Sequence, residues 1–262
     1  MRSMPSVGRF NTTIVKSTAL THPDEVELAP SGVAGDRRYL ILHEDGQRLS
    51  GAEKAPLLGI RVTADPADGS LTFVFPDGST CWSAYDASED EEVFPVRMYD
   101  RTITARKVFH TAVDHFLSED LHEDLILVRV EEENARDVKA VTMISLATVE
   151  DLGRRAGPRW SGGMPDPRRF RMTMELDGCE PLEEDTWAGR RIGVGEAILR
   201  VGDPVPRCVI TTLDPDTGRK DFPTLEVLAT YRHVGTDLMM GVYADVERPG
   251  RVHVGEELSF LD

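Results

Sequence analysis

The sequence predicts a mainly β fold with a few helices (α+β), and three observations carry that prediction. The first hundred residues fall into short apolar runs at close spacing, separated by Gly- and Asp-containing turns, the pattern of a small sheet or barrel. Helical periodicity is confined to three stretches beyond residue 110. Strands and helices do not alternate regularly, and Gly193-Val194-Gly195 completes no GxGxxG fingerprint, so a doubly wound dinucleotide-binding fold is a poor match.

In chain order, the apolar run Arg38–His43 closes on the turn Glu44-Asp45-Gly46. Leu58–Thr63 and Leu71–Phe75 read as paired strands joined through Asp68-Gly69, and Pro76-Asp77-Gly78 turns the chain again before Cys81-Trp82. The acidic cluster from Glu89 to Glu92 reads as a solvated loop. Val113, Phe116, Leu117 and Leu121 recur at helical spacing between Thr111 and Leu121. A domain boundary ahead of that helix divides the chain into 1–108 and 109–262. Leu125–Val130 is a buried strand, and Glu131 to Asn134 a polar loop. Ser145 is a good N-cap for a helix that turns Leu146, Val149 and Leu152 inward and runs out at Gly157-Pro158. Strands are expected over Arg169–Leu176, Ala197–Val201 and Cys208–Leu213, with Gly193–Gly195 as a hairpin turn. Thr224 caps a short helix carrying Leu225, Leu228 and Tyr231, and Gly241–Val246 and Val252–Phe260 close the sheet.

At 262 residues, 40% hydrophobic and 29% charged, the chain is long enough for a real core and has the composition of a soluble globular protein. Its formal charge of −16 argues against nucleic-acid binding and against docking on anionic membranes. Three cysteines, Cys81, Cys179 and Cys208, form no CxxC pair and point to a reducing compartment. The first residues hold no apolar leader core, and no stretch approaches the roughly 20 apolar residues of a membrane span. A cytoplasmic protein is expected.

Chemistry concentrates in a few places. Cys208 follows Pro204 and Pro206 on a β-branched run that ends in Asp214-Pro215-Asp216-Thr217-Gly218. It suits a soft-metal ligand, a nucleophile or a persulfide carrier, and equally a small buried apolar residue. On a regular strand Arg207 would face away from Cys208, and it could assist the thiol only if the prolines break the pleat. Along Arg169–Leu176, alternation would set Arg169, Arg171 and Thr173 on one face, a basic row suited to phosphate or carboxylate, or to surface ion pairs. The helix start at Ser145, with Thr148 one turn inside, offers N–H and hydroxyl donors to an anion or serves as a plain cap. Lys16-Ser17 is a further phosphate contact of little weight alone. His110, His115 and His122 lack zinc-type spacing.

Taken together, Arg169-Phe170-Arg171, Asp177-Gly178-Cys179-Glu180, Glu183-Glu184-Asp185-Thr186-Trp187 and Arg207-Cys208 through Gly218 resemble the MOSC domain, in the order and spacing of the mitochondrial amidoxime-reducing components and their bacterial relatives. Lys16-Ser17 and Gly32 to Arg38 resemble the β-barrel domain that precedes MOSC in those proteins. The resemblance implies an amino-terminal β-barrel-like domain packed against a β-barrel MOSC domain, and a molybdenum cofactor (molybdopterin) whose metal is ligated by Cys208. It further implies that Lys16, Ser17, Arg37 and Arg171 hold the pterin and its phosphate, with Ser145 and Thr148 in a hydroxyl-bearing segment, and Arg169, Thr173 and Arg207 beside them. Where the family has Arg-Pro-Asn this chain has Arg171-Met172-Thr173, which bears on substrate preference. The implied activity is reduction of N-oxygenated small molecules. With no cluster of four cysteines, the electrons are expected from a separate ferredoxin-, flavin- or haem-type donor. A persulfide carrier for metal–sulfur cofactor synthesis and a non-catalytic molybdopterin binder are the alternatives.

Overall fold

The computed structural model describes residues 4–65, 67, 69–83, 93–98, 101–108, 117–119, 124–131 and 135–261. Asp68, the cluster from Glu89 to Glu92, the three histidines 110, 115 and 122, and all of the expected helix over 111–121 except 117–119, which are helical, lie outside these residues. The amino-terminal half supplies β1 (Ser6–Phe10), β2 (Glu25–Ala29), β3 (Gly32–Val33), β4 (Tyr39–His43), β5 (Arg61–Ala64), β6 (Leu71–Val74), β7 (Thr80–Ser83), β8 (Phe94–Arg97), β9 (Thr102–Lys107) and β10 (Leu125–Val130). The rest supplies β11 (Val141–Ser145), α1 (Leu146–Ala156), β12 (Met174–Asp177), β13 (Arg191–Val194), β14 (Ala197–Pro206), α2 (Thr224–Leu228), β15 (His233–Val234), β16 (Asp237–Arg248), β17 (Gly250–His253) and β18 (Ser259–Phe260). The protein is mostly strand with few helices, as the sequence predicts. No helix among the described residues is long and apolar enough to cross a membrane.

Strand β4 shows why its sequence reads as a continuous apolar run. Tyr39 and Ile41 enter one core cluster, and Leu40 and Leu42 enter another on the opposite face. A strand covered on both sides needs apolar residues at every position. It anchors the sheet β4-β10-β9-β8, while β5, β6 and β7 form a separate antiparallel meander. The main sheet runs β1-β12-β11-β16-β14-β13-β18, with β15 paired to β16. Only its β11–β12 pair is parallel, joined by a crossover through α1.

The two halves exchange strands. β1 pairs with β12 in the main sheet, Phe10 opposite Met174, and β17 pairs with β2, Val252 opposite Val26. β10, from beyond residue 108, pairs with both β4 and β9.

Four local expectations are corrected. The strand expected over Arg169–Leu176 begins at Met174, because Pro167 and the Asp166 carboxylate, which accepts from the Arg168 N–H, start a 3-10 turn over Pro167–Phe170. The strand expected over Cys208–Leu213 is a 3-10 turn at Val209–Thr212. There the Thr211 and Thr212 hydroxyls donate back to the Cys208 and Val209 carbonyls, at 3.0 and 2.7 Å. Pro56 likewise opens a 3-10 turn at Ala55–Gly59, so the strand expected from Leu58 starts at Arg61. Thr224 is the first helical residue rather than the cap, its hydroxyl donating to the Thr211 carbonyl at 2.6 Å.

Candidate functional site

Both halves of the chain line a cavity of about 460 Å³. The last residue of β14 is Pro206, and its pairing with β16 slips in register at Pro204 and again at Pro206. The prolines therefore do break the pleat, and Arg207 and Cys208 line the same cavity instead of facing apart. Cys208 is exposed, with an extended backbone, and the turn that follows turns the chain away beneath it. Arg207 is held by three acceptors: its guanidinium donates to the Met240 carbonyl at 2.9 Å, the Phe170 carbonyl at 3.1 Å and the Met172 sulfur. None carries a charge. Burial pushes its pKa down to about 10, against the opposing pull of Tyr243 and Cys208.

A second wall comes from the amino-terminal half and from the turn after Phe170. Arg171, Arg37 and Ser17 all line the cavity, and all three adopt left-handed backbone conformations (φ +52°, +51° and +76°). Among the described residues Leu182 is the one other non-glycine with positive φ. Strain of this kind persists where surrounding structure enforces it, and it collects at binding sites. The Arg171 guanidinium donates to the Thr18 carbonyl at 2.8 Å and has no carboxylate partner among the described residues. Burial and the neighbouring Arg37 lower its pKa to about 9. Arg37 pairs with Asp36 and donates to the Arg171 carbonyl at 3.4 Å. Lys16 is 7% exposed at its side chain and contacts the Ala135 carbonyl (2.9 Å) and Asp137 (2.7 Å); burial brings it down to about 8. On a protein of net charge −16, this cavity gathers seven lysines and arginines in Lys16, Arg37, Arg48, Arg136, Lys139, Arg171 and Arg207, with Asp36, Asp137 and Asp237 as its acids.

Thr173 also lines the cavity, its hydroxyl within 3.2 Å of both the N–H and the hydroxyl of Thr142. Lys16, Ser17, Arg37, Arg171, Thr173, Arg207 and Cys208 are thus brought together. Three other sequence candidates are not. Ser145 caps α1 through the Ala147 N–H and donates its own N–H to Glu184. Thr148 donates its hydroxyl to the same carboxylate at 2.9 Å. Arg169 is 2% exposed and points beneath the cavity. There it donates to the Thr211 and Leu213 carbonyls and grips Asp221 with both terminal nitrogens. The basic row expected on one strand face does not exist, because the 3-10 turn sends Arg169 and Arg171 to different sides. Arg48, Asp137 and Asp237 are cavity residues that sequence reasoning missed. Nothing local marks them, since pairing between distant strands delivers them.

Among the described residues no group of three or more His, Cys, Asp or Glu could hold a metal ion. A metal at Cys208 would take one ligand from the protein and bring the others itself. The guanidinium groups of Arg171 and Arg207, which form no ion pair among the described residues, suit with Lys16 and Arg37 an anionic ligand several bonds long.

Comparison with known proteins gives two family matches, the MOSC N-terminal beta barrel domain over residues 5–124 and the MOSC domain over 131–259. Mitochondrial amidoxime-reducing component 1 of Danio rerio is 27% identical over 253 residues, covering 86% of this chain and 74% of that protein. Human mitochondrial amidoxime reducing component 2 is 25% identical over 254 residues, covering 86% and 73%. The molybdenum cofactor sulfurase of Oryza sativa subsp. japonica is 26% identical over 258 residues, covering 84% of this chain and 30% of that protein.

Proposed function

Since the chain belongs to the MOSC family, with a MOSC N-terminal barrel ahead of the MOSC domain, we propose that it is a molybdenum-cofactor-dependent oxidoreductase of N-oxygenated (N-hydroxylated) small molecules. The observation that carries this reading is an exposed thiol, Cys208, on the wall of a basic cavity whose Arg171 and Arg207 have no carboxylate partner among the described residues. The relatives named for amidoxime reduction and for the molybdenum cofactor support it.

The residues fit a pterin-bound metal. Cys208 would supply the one protein thiolate, and a pterin dithiolene brings sulfur of its own. Lys16, Ser17, Arg37 and Arg171 would hold the phosphate and pterin, and their fixed, partly buried donors need no reorganisation to do so. When bound, the cofactor supplies a metal that accepts the substrate's oxygen and the electron pair that releases it. Conversion of an amidoxime to an amidine consumes two electrons and two protons and yields water. The electrons would come from a separate donor protein of ferredoxin, flavin or haem type. The chain's own work is positional. Arg207, locked on two carbonyls, keeps a positive charge beside Cys208 on the cavity wall. The Thr142–Thr173 pair fixes the wall where the amide of an Asn would otherwise stand.

Protein made in a cofactor-competent host should carry about one molybdenum per chain and reduce benzamidoxime with an artificial electron donor. Cys208→Ala should lose both. A fully active variant would refute the assignment. Sulfane sulfur on Cys208 with no molybdenum would instead favour the persulfide carrier, for which the exposure of the thiol speaks.

A further inference from the structure

One carboxylate in the cavity has no use in the reading above. Pro206 faces Met239 in the β14–β16 ladder, and the Arg207 N–H donates to the Leu238 carbonyl at 2.8 Å. Cys208 keeps an extended backbone, with φ −118° and ψ −177°. Cys208 follows Arg207 and Asp237 precedes Leu238, so the two residues flank this backbone bond. Both residues line the cavity. Asp237 is exposed, and among the described residues its carboxylate has no ion pair and no hydrogen-bond donor. The nearby cations are otherwise engaged: Arg207 is spent on carbonyls and sulfur, and Lys139 pairs with Asp245 at 2.8 Å. An acid with no ion pair among the described residues thus shares the wall of a mainly basic cavity with the thiol.

We propose that Asp237 is a substrate-recognition carboxylate that selects N-oxygenated molecules carrying an N–H-rich, amidine- or guanidine-like head. This rests on the reductase reading. An amidoxime bears its oxygenated nitrogen and an amino group on one carbon, so a carboxylate accepting from the amino N–H leaves the N–O group directed at the Cys208 side. A charge-assisted bond of this kind gives preference over an N-oxide with no N–H to offer. The cationic amidine product should bind at the same place.

The test uses the full chain from a cofactor-competent host, its Asp237→Asn variant, and Asp151→Asn as a variant of an acid paired with Arg154 and Arg155 away from the cavity. Benzamidine binding is measured by calorimetry, and reduction of benzamidoxime is compared with that of pyridine N-oxide. In Asp237→Asn, benzamidine should bind at least about tenfold more weakly, and the KM for benzamidoxime should rise by a similar factor with kcat within about twofold. Pyridine N-oxide kinetics should not change, and Asp151→Asn should match the unsubstituted protein. Unchanged benzamidine binding in Asp237→Asn, or equal losses on both substrates, would overturn the proposal. Asp237-dependent benzamidine binding in a protein that reduces neither compound would support recognition by Asp237 while removing the reductase reading.

Discussion

Glu184 shows how a single residue can mislead a reader of sequence. It sits in the Glu183–Trp187 stretch that helps identify the MOSC domain, yet it is fully buried and serves the start of α1. Ser145 and Thr148 were legible as an N-cap and a first-turn hydroxyl, but their partner lies nearly 40 positions away, out of reach of local reasoning. Burial pushes the Glu184 carboxyl up to about 7, with the Ser145 and Thr148 bonds only partly opposing it. A raised carboxyl favours the fold when protonated. Its contribution is fully present below about pH 4.3, where the unfolded chain's carboxyl is also protonated, and is lost as pH rises through 7. Urea denaturation should therefore show roughly 2–3 kcal/mol of stability disappearing between pH 5 and 8, and Glu184→Gln should flatten that slope. An unchanged slope would place the titration elsewhere.

At the scale of elements, regular segments were readable and the irregular ones that build the site were not. The cap, the periodicity and the Gly157-Pro158 stop delimit α1 correctly, and the apolar runs of β4 and β10 stand out from their flanks. The 3-10 turns at Pro167–Phe170 and Val209–Thr212 look like strands because their residues are β-branched, apolar or basic in alternation. What decides them is proline placement, an Asp166 cap and hydroxyl back-bonding. Arg169 joins the two turns by donating to the Thr211 and Leu213 carbonyls at the far end of the one that follows Cys208. Arg169→Met should cost about 3 kcal/mol, since it strands the Leu213 carbonyl, removes one of two donors to the Thr211 carbonyl and releases Asp221. Cys208 in the folded variant should alkylate several-fold faster, with Cys179 as the internal control. A stability loss without any change at Cys208 would show that Arg169 does not set the thiol's surroundings.

For the whole molecule, the exchange of β1 and β17 matters most. The cavity lies between contributions from both halves, and each half completes a sheet of the other. A chain cut to residues 131–262 would lack β1, leaving β12 as an open edge and Phe10 missing from the main core. Such a fragment should show no cooperative urea transition by circular dichroism, whereas the full chain should unfold in one step. Two separate transitions in the full chain would contradict this. The interleaving also ties assembly to the order of synthesis. Val26 leaves the ribosome early but meets its partner Val252 only when almost the whole chain has been made. A chain terminated before Gly250 therefore leaves β2 without this partner. A prematurely ended copy thus carries an open strand edge, prone to pairing with other chains, that the finished protein covers.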